Sequence, residues 1–313
     1  MAEPAVPVVA PHGDSSLSTV GAEAVAGAAA AALTEVTAAR KKLGWFFWVC
    51  LGWIAVVVLL AILANVLPLP NPNFQDYNAI NAGPSGAHLL GTDDLGRDIL
   101  SRVIYGARVS IIVGFGSIAI GLLLGGVPGM VAGYRRGIVD TVVNAASYVL
   151  LAFPALVAVI AIVTFWGHAL WKITLIIGIA SAPLLFRLIR AATLSYATRD
   201  FVMAARALGA RDRRILAREI LPNILPAVVS FSLIGVATVI VLEGTLAFLG
   251  LSVPGPTASW GNMLNESRSY ITGTQINLSL VLSPAVAMFS FLLALNLVGD
   301  RLRQHFDVTE GRL

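Results

Sequence analysis

The amino-acid sequence predicts an all-α polytopic membrane protein with six transmembrane helices, and three observations carry that expectation. Of the 313 residues, 57% are hydrophobic and only 12% charged, at a mean hydropathy of +0.83, whereas a soluble domain holds about 25% charged residues. The apolar residues gather in runs of the length, about 20 residues, that crosses roughly 30 Å of hydrocarbon as helix. The basic residues lie between those runs and are distributed unevenly.

Taken in order, residues 1–40 read as a cytoplasmic tail, partly disordered, with Pro4, Pro7 and Pro11 followed by an Ala-rich stretch. Ala22–Lys42 favour a helix running into the first span. No basic segment of the kind that opens a secretory signal precedes it, so a cleaved signal peptide is not expected. A first transmembrane helix occupies 41–68, around the apolar run Gly44–Leu67, and an extracytoplasmic loop follows over 69–108. A membrane core over 109–304 then holds Val109–Tyr134, Thr141–Trp166, Leu225–Leu249 and Ile276–Gly299, in which Glu243 is the one charged residue. A further span at Leu170–Ile189 is needed, although only 14 residues separate Lys172 from Arg187, so both side chains must snorkel to opposite interfaces. A cytoplasmic C-terminus at 305–313 completes the chain.

With the N-terminus inside, 16 of the 21 Lys and Arg residues fall on the cytoplasmic side, eight of them in Arg187–Arg218. The positive-inside rule therefore places both termini in the cytoplasm. The same rule accounts for the net charge of +4 without nucleic acid, which is not expected as a partner. Cys50, alone in an apolar run, excludes a disulfide within the chain and reads as a small core residue.

Ser117, Gly121, Gly125, Gly129 and Gly133 recur at a spacing of four and lay a smooth groove down one side of the second span. Small residues let membrane helices approach closely, so the row packs either against another helix of this subunit or against a second subunit. Pro128 should kink that helix. The glycines match a phosphate loop in composition only, since no Gly-Lys-Ser/Thr follows. Gly83-Pro84-Ser85-Gly86 with His88 imitates a serine-protease motif but lies in a polar loop, and no cluster has metal-ligand spacing.

The basic loop over 190–223 reads as a helix–turn–helix. Thr198 or Asp200 can cap a helix from Phe201 to Leu208, Gly209 can end it in a left-handed conformation, and Asp212 can cap a second helix stopped by Pro222. Val202, Ala205 and Leu208 fall on one stripe and Arg206, Arg211, Arg213 and Arg214 at its rim, a form suited to entering a partner's groove or to lying on anionic lipid. On the other side of the membrane, Trp260 and Met263 in the loop Gly250–Gln275 are apolar residues without an evident core. They are expected either to touch an external binding protein or entering solute, or to plug the subunit's own outer face. Glu243 is expected to pair with an arginine such as Arg97 or Arg102, or to meet a solute's amino group.

Ala204-Ala205, Gly209 and Leu221-Pro222, with the proline thirteen residues after the glycine, resemble the EAA loop of bacterial ABC importer permeases. Three further blocks are similar to the C-type permease of dipeptide and oligopeptide importers. These are Gly91-Thr92-Asp93-Asp94-Leu95-Gly96-Arg97-Asp98 with Ser101-Arg102, Glu243 with Leu246–Gly250 and Ser259–Leu264, and Asn296–Arg303. The resemblance runs from about residue 40 to the end. It implies that the last five helices form a type I ABC importer core of the MetI-like kind in the bacterial inner membrane. It also implies a homologous second permease subunit, two cytoplasmic ATP-binding subunits that hold ATP and Mg, and an extracytoplasmic solute-binding protein that delivers a peptide substrate. This chain would then hold no cofactor, metal or catalytic residue, and would couple to the ATPases through Phe201, Val202, Met203, Ala204, Ala205, Arg206, Leu208, Gly209, Arg213 and Pro222. Met203 stands where the family's loop motif opens with an acidic residue, so a salt bridge made through that residue is absent or replaced here. The alternative, an ion-driven transporter or channel, calls for ionisable residues at mid-membrane, whereas Glu243, Lys172 and Arg187 lie toward span ends.

Overall fold

The computed structural model describes residues 44–268, 270 and 277–310. The helix expected at 22–42 and the expected start of the last span at Ile276 lie outside them. The described chain is helical, with α1 at Trp45–Leu63, α2 at Ile99–Arg135, α3 at Gly137–Ala152, α4 at Ala155–Trp166 and α5 at Leu170–Tyr196. There follow α6 at Asp200–Ala207, α7 at Asp212–Phe248, α8 at Trp260–Glu266 and α9 at Leu278–Glu310. α1, α2, α5, α7 and α9 are each long and apolar enough to cross a membrane.

The glycine row decides the central packing. Ser117 Oγ donates to Thr174 O at 2.9 Å, and a methyl added to Gly129 or Gly133 would meet the carbonyl oxygen of Phe186 or Arg190 at 2.7 Å. On Gly125 it would run into the Ala182 carbonyl. The contacts climb α2 and α5 in step, four residues at a time, so the two helices lie parallel and backbone to backbone. The row therefore packs inside this subunit rather than against a second one.

A parallel pair in a membrane needs a return crossing, and α3 with α4 supplies it. The sequence predicts a span at Thr141–Trp166; it is built of α3 and α4, which meet at an angle of 81°. Pro154 lacks an N–H and forces the preceding residue out of the helical region, and Phe153 is extended at φ −88°, ψ 133°. The span expected at Leu170–Ile189 runs seven residues further, to Tyr196. Its early charge is accommodated as the snorkelling argument requires: Lys172 Nζ donates to Trp166 O at 2.6 Å and lies 5.8 and 5.7 Å from the Trp166 and Trp171 ring centres.

Prolines elsewhere are absorbed rather than obeyed. Before Pro128, α2 passes through one π turn, Leu122–Gly126, in which Val127 N–H donates to Leu122 O. The wider winding re-registers the hydrogen bonds ahead of the proline, which opens the following α segment. α7 does the same: a π turn at Ile215–Ile220 precedes Pro222, so the proline expected to stop the second loop helix lies in a helix continuing to Phe248. α7 packs on α2 and α9, and α1 lies against α2 and α9. Cys50 is buried there beside Ala294 and Val298, as a small core residue.

Candidate functional site

The basic loop folds into an elbow of α6, a turn at Gly209 and the start of α7. Arg199 takes the N-cap position with an extended backbone and no side-chain cap, so neither Thr198 nor Asp200 caps α6. Gly209 has φ +79°, the left-handed conformation expected of it, in open space. Asp212 is the first residue of α7, and its carboxylate accepts from Arg135 at 3.2 Å and Tyr134 Oη at 3.3 Å, tying the elbow to the end of α2. The Arg206 guanidinium lies 5.3 Å from the Tyr134 ring centre.

The expected stripe of Val202, Ala205 and Leu208 is divided between two environments. Val202 is fully buried under Tyr134, Tyr196, Ile215 and Ile220, with Phe201 and Ala205 packed against the same cluster. Met203, Ala204, Arg206, Leu208, Gly209, Arg213 and Pro222 are exposed, Leu208 at 89%. The reason is periodicity against an anchored helix: α6 must bury one face on its own subunit, and Val202 takes it, which turns Met203, Ala204, Ala207 and Leu208 outward.

Between α2, α3, α4, α5 and α7 is a cavity of 870 Å³. Apolar side chains make most of its wall, joined by Asn144, Tyr148, Ser181, Thr238, Arg187 and Arg190. Arg190 is paired with Asp140 through Nε and Nη2, the latter at 2.6 Å. The sequence offered Arg187 only as a charge near a span end and did not single out Asp140.

At the far end of the helices, Trp260 and Met263 are 2% and 0% exposed. Trp260 Nε1 donates to Val103 O at 2.9 Å and its ring lies edge-on to Phe291 at 5.6 Å, while Met263 packs with Ile99 and Leu280. Of the two expectations held for them, this burial favours the second, a plug of the subunit's own face, over contact with a binding protein or solute. Glu243, 1% exposed, accepts from Ser252 at 2.6 Å, Ser259 at 3.1 Å and Ser110 at 3.5 Å. It pairs with neither expected arginine. Arg97 instead bonds Asp93 at 2.6 Å and Glu266 at 3.1 Å, and Arg102 bonds Glu266 at 2.7 Å. Asp98 caps α2 through Ser101 N at 2.8 Å and meets His88 Nδ1 at 3.0 Å. The acidic and basic residues at 91–102 thus knit a cap; Asp93, four residues before Arg97, was a local signal for one of its pairs, whereas Asp98, four before Arg102, caps α2 instead. Among the described residues no group of three His, Cys, Asp or Glu side chains could hold a metal.

Known proteins are similar to this chain. Residues 117–308 match the family described as binding-protein-dependent transport system inner membrane component. A glutathione transport system permease protein, GsiD, of Pectobacterium atrosepticum is 37% identical over 82% of this chain and 84% of its own length. A dipeptide transport system permease protein, DppC, of Alkalihalophilus pseudofirmus is 36% identical over 80% of this chain and 81% of its own. A chain of the MetNI methionine ABC transporter, in an inward-facing structure, superposes with a TM-score of 0.54 at 19% identity over 66% of this chain and 97% of that one, which shows a shared fold. The chain accordingly belongs to the binding-protein-dependent transport system inner membrane component family.

Proposed function

We propose that this chain is one of two homologous permease subunits of an ATP-driven importer for short peptides, glutathione among them, in the bacterial inner membrane with both termini cytoplasmic. One observation carries the reading: an exposed, rigid elbow, α6 with its Gly209 turn, is fused to the membrane helix α7 that walls the cavity. ATP binding to two cytoplasmic subunits, which hold the nucleotide and Mg, moves α6; because Val202 and Asp212 fasten it to α2 and α7, the motion reaches the cavity wall. Energy passes only through contacts that differ between two states, and a stiff lever between them meets that need. An external binding protein delivers the solute, and this chain supplies half the pathway.

The outward residues of α6 define the test. Leu208→Glu places a charge on the exposed tip, and Gly209→Val imposes about 1–3 kcal/mol of strain at a positive φ. In reconstituted complexes both variants should reach the membrane in normal amounts yet lose ATP-driven uptake at least about tenfold, with ATPase subunits no longer retained or no longer stimulated. Normal substrate-stimulated ATPase activity and uptake in both would refute the docking role and leave a basic loop lying on lipid. Ala205→Glu is the poorer test, since Ala205 packs on the subunit's own core.

A further inference from the structure

The cavity between α3, α5 and α7 holds a charge that its own subunit does not balance. Two arginines line it and no carboxylate does. Arg190 is neutralised from behind by Asp140, which accepts both Nε and Nη2 of the guanidinium. Arg187, one helical turn away on the same wall, is exposed and has no hydrogen-bond or ion-pair partner among the described residues. It lies inside α5, eighteenth in a 27-residue membrane helix, with Leu184, Leu188 and Ala191 around it on the wall. An unpaired charge on a membrane helix is costly, and where one is kept it faces a pathway or a partner.

We propose that Arg187 receives the carboxylate of the transported solute within this cavity. The inference rests on the peptide reading above and adds a chemical choice to it. A guanidinium offers a planar, two-pronged donor that matches a carboxylate, and the pairing strengthens where water is scarce. The wall has no acidic side chain for the amino end of a peptide, so the cavity recognises the anionic end. Asn144, Tyr148, Ser181 and Thr238 line the same wall and give peptide amides polar neighbours without adding charge. Apolar surface makes up the remainder and admits varied side chains, as suits a pathway whose selectivity is set by one shared group.

The test uses the complete importer in proteoliposomes, with dialanine and dialanine amide as probes. Any preference contributed by the binding protein is common to all permease variants and cancels when each variant is compared with wild type on each probe. Arg187→Gln should lower the maximal uptake rate of dialanine about tenfold and that of its amide less than about twofold, the value of one charge-assisted bond. Arg187→Lys, which keeps the charge, should recover most of the dialanine rate. Equal effects on the two probes, including no effect on either, would overturn the inference while leaving peptide import intact. Loss of the second permease subunit from purified Arg187→Gln complex would also overturn it, by assigning the arginine to a carboxylate of that subunit. A wild-type complex that moves neither probe would instead overturn the peptide reading, and this inference with it.

Discussion

Glu243 meets three hydroxyls and no cation among the described residues, although it lies in a membrane helix. Its carboxylate organises Ser110 on α2 and Ser252 and Ser259 on the segment leading into α8, so one residue staples three parts of this end of the bundle. A glutamine retains the shape and one acceptor oxygen, and its amide can donate to a serine hydroxyl oxygen. An alanine leaves the hydroxyls buried and unsatisfied, at about 1–3 kcal/mol for each that finds no other partner. Glu243→Ala should therefore lower the melting temperature of the detergent-solubilised chain by about 3 °C or more, and Glu243→Gln by less than half as much. Equal melting of the two variants would show that the hydroxyl staple contributes nothing. The sequence marked Glu243 as a residue needing a partner but could not choose serines over arginines, because that choice depends on how the 250–260 segment folds back.

The α2–α5 pair is where a sequence pattern became a defined contact. A row of small residues at a spacing of four states that some backbone comes close; only the fold states whose. Here the neighbour is the chain's own α5, at an offset that holds from Ser117–Thr174 to Gly133–Arg190. Gly125→Leu should prevent the close approach, since even a single methyl meets the Ala182 carbonyl, and overpacking of this kind costs roughly 1–3 kcal/mol and often more where backbone must shift. We expect a marked fall in monodisperse protein by fluorescence size-exclusion chromatography in detergent, with this chain expressed alone. A normal profile would mean that α2 and α5 separate without penalty. Proline illustrates the opposite limit of pattern reading: Pro154 breaks a span, whereas Pro128 and Pro222 follow π turns and do not. The residue is the same in each case, and since Pro183, Pro226 and Pro284 also lie inside continuous helices, the proline alone does not set the outcome.

Across the whole molecule, the loop preceding α2 and the short helix α8 are far apart in sequence and are joined by ions at one end of the bundle. Arg102, 1% exposed, reaches Glu266 at 2.7 Å and Asp93 at 3.6 Å, while Arg97 bridges the same two carboxylates. Glu266 is partly exposed, so removing one partner should cost less than the roughly 3–5 kcal/mol of a fully buried pair, but the losses should still not add. In a double-mutant cycle, Arg102→Met with Glu266→Gln should cost at least about 1 kcal/mol less than the two single losses combined, read from thermal or denaturant melts. Additive losses would show that the cap is held by Trp260 and Met263 packing alone.

At this same scale, the sequence by itself determined the membrane class and the elbow with its left-handed Gly209, because hydropathy and a glycine's freedom at positive φ are local properties. It also carried the family, through spacing in the loop and in the blocks at 91–102 and 243–264. Only the tertiary structure decided that Trp260 and Met263 are a plug, that Val202 faces inward while Leu208 faces out, and that α3 and α4 bend at Pro154. It alone placed Arg187 on a cavity wall without a carboxylate beside it. Each of those outcomes depends on which distant segment occupies a given face, and no periodicity along one helix records what lies across from it.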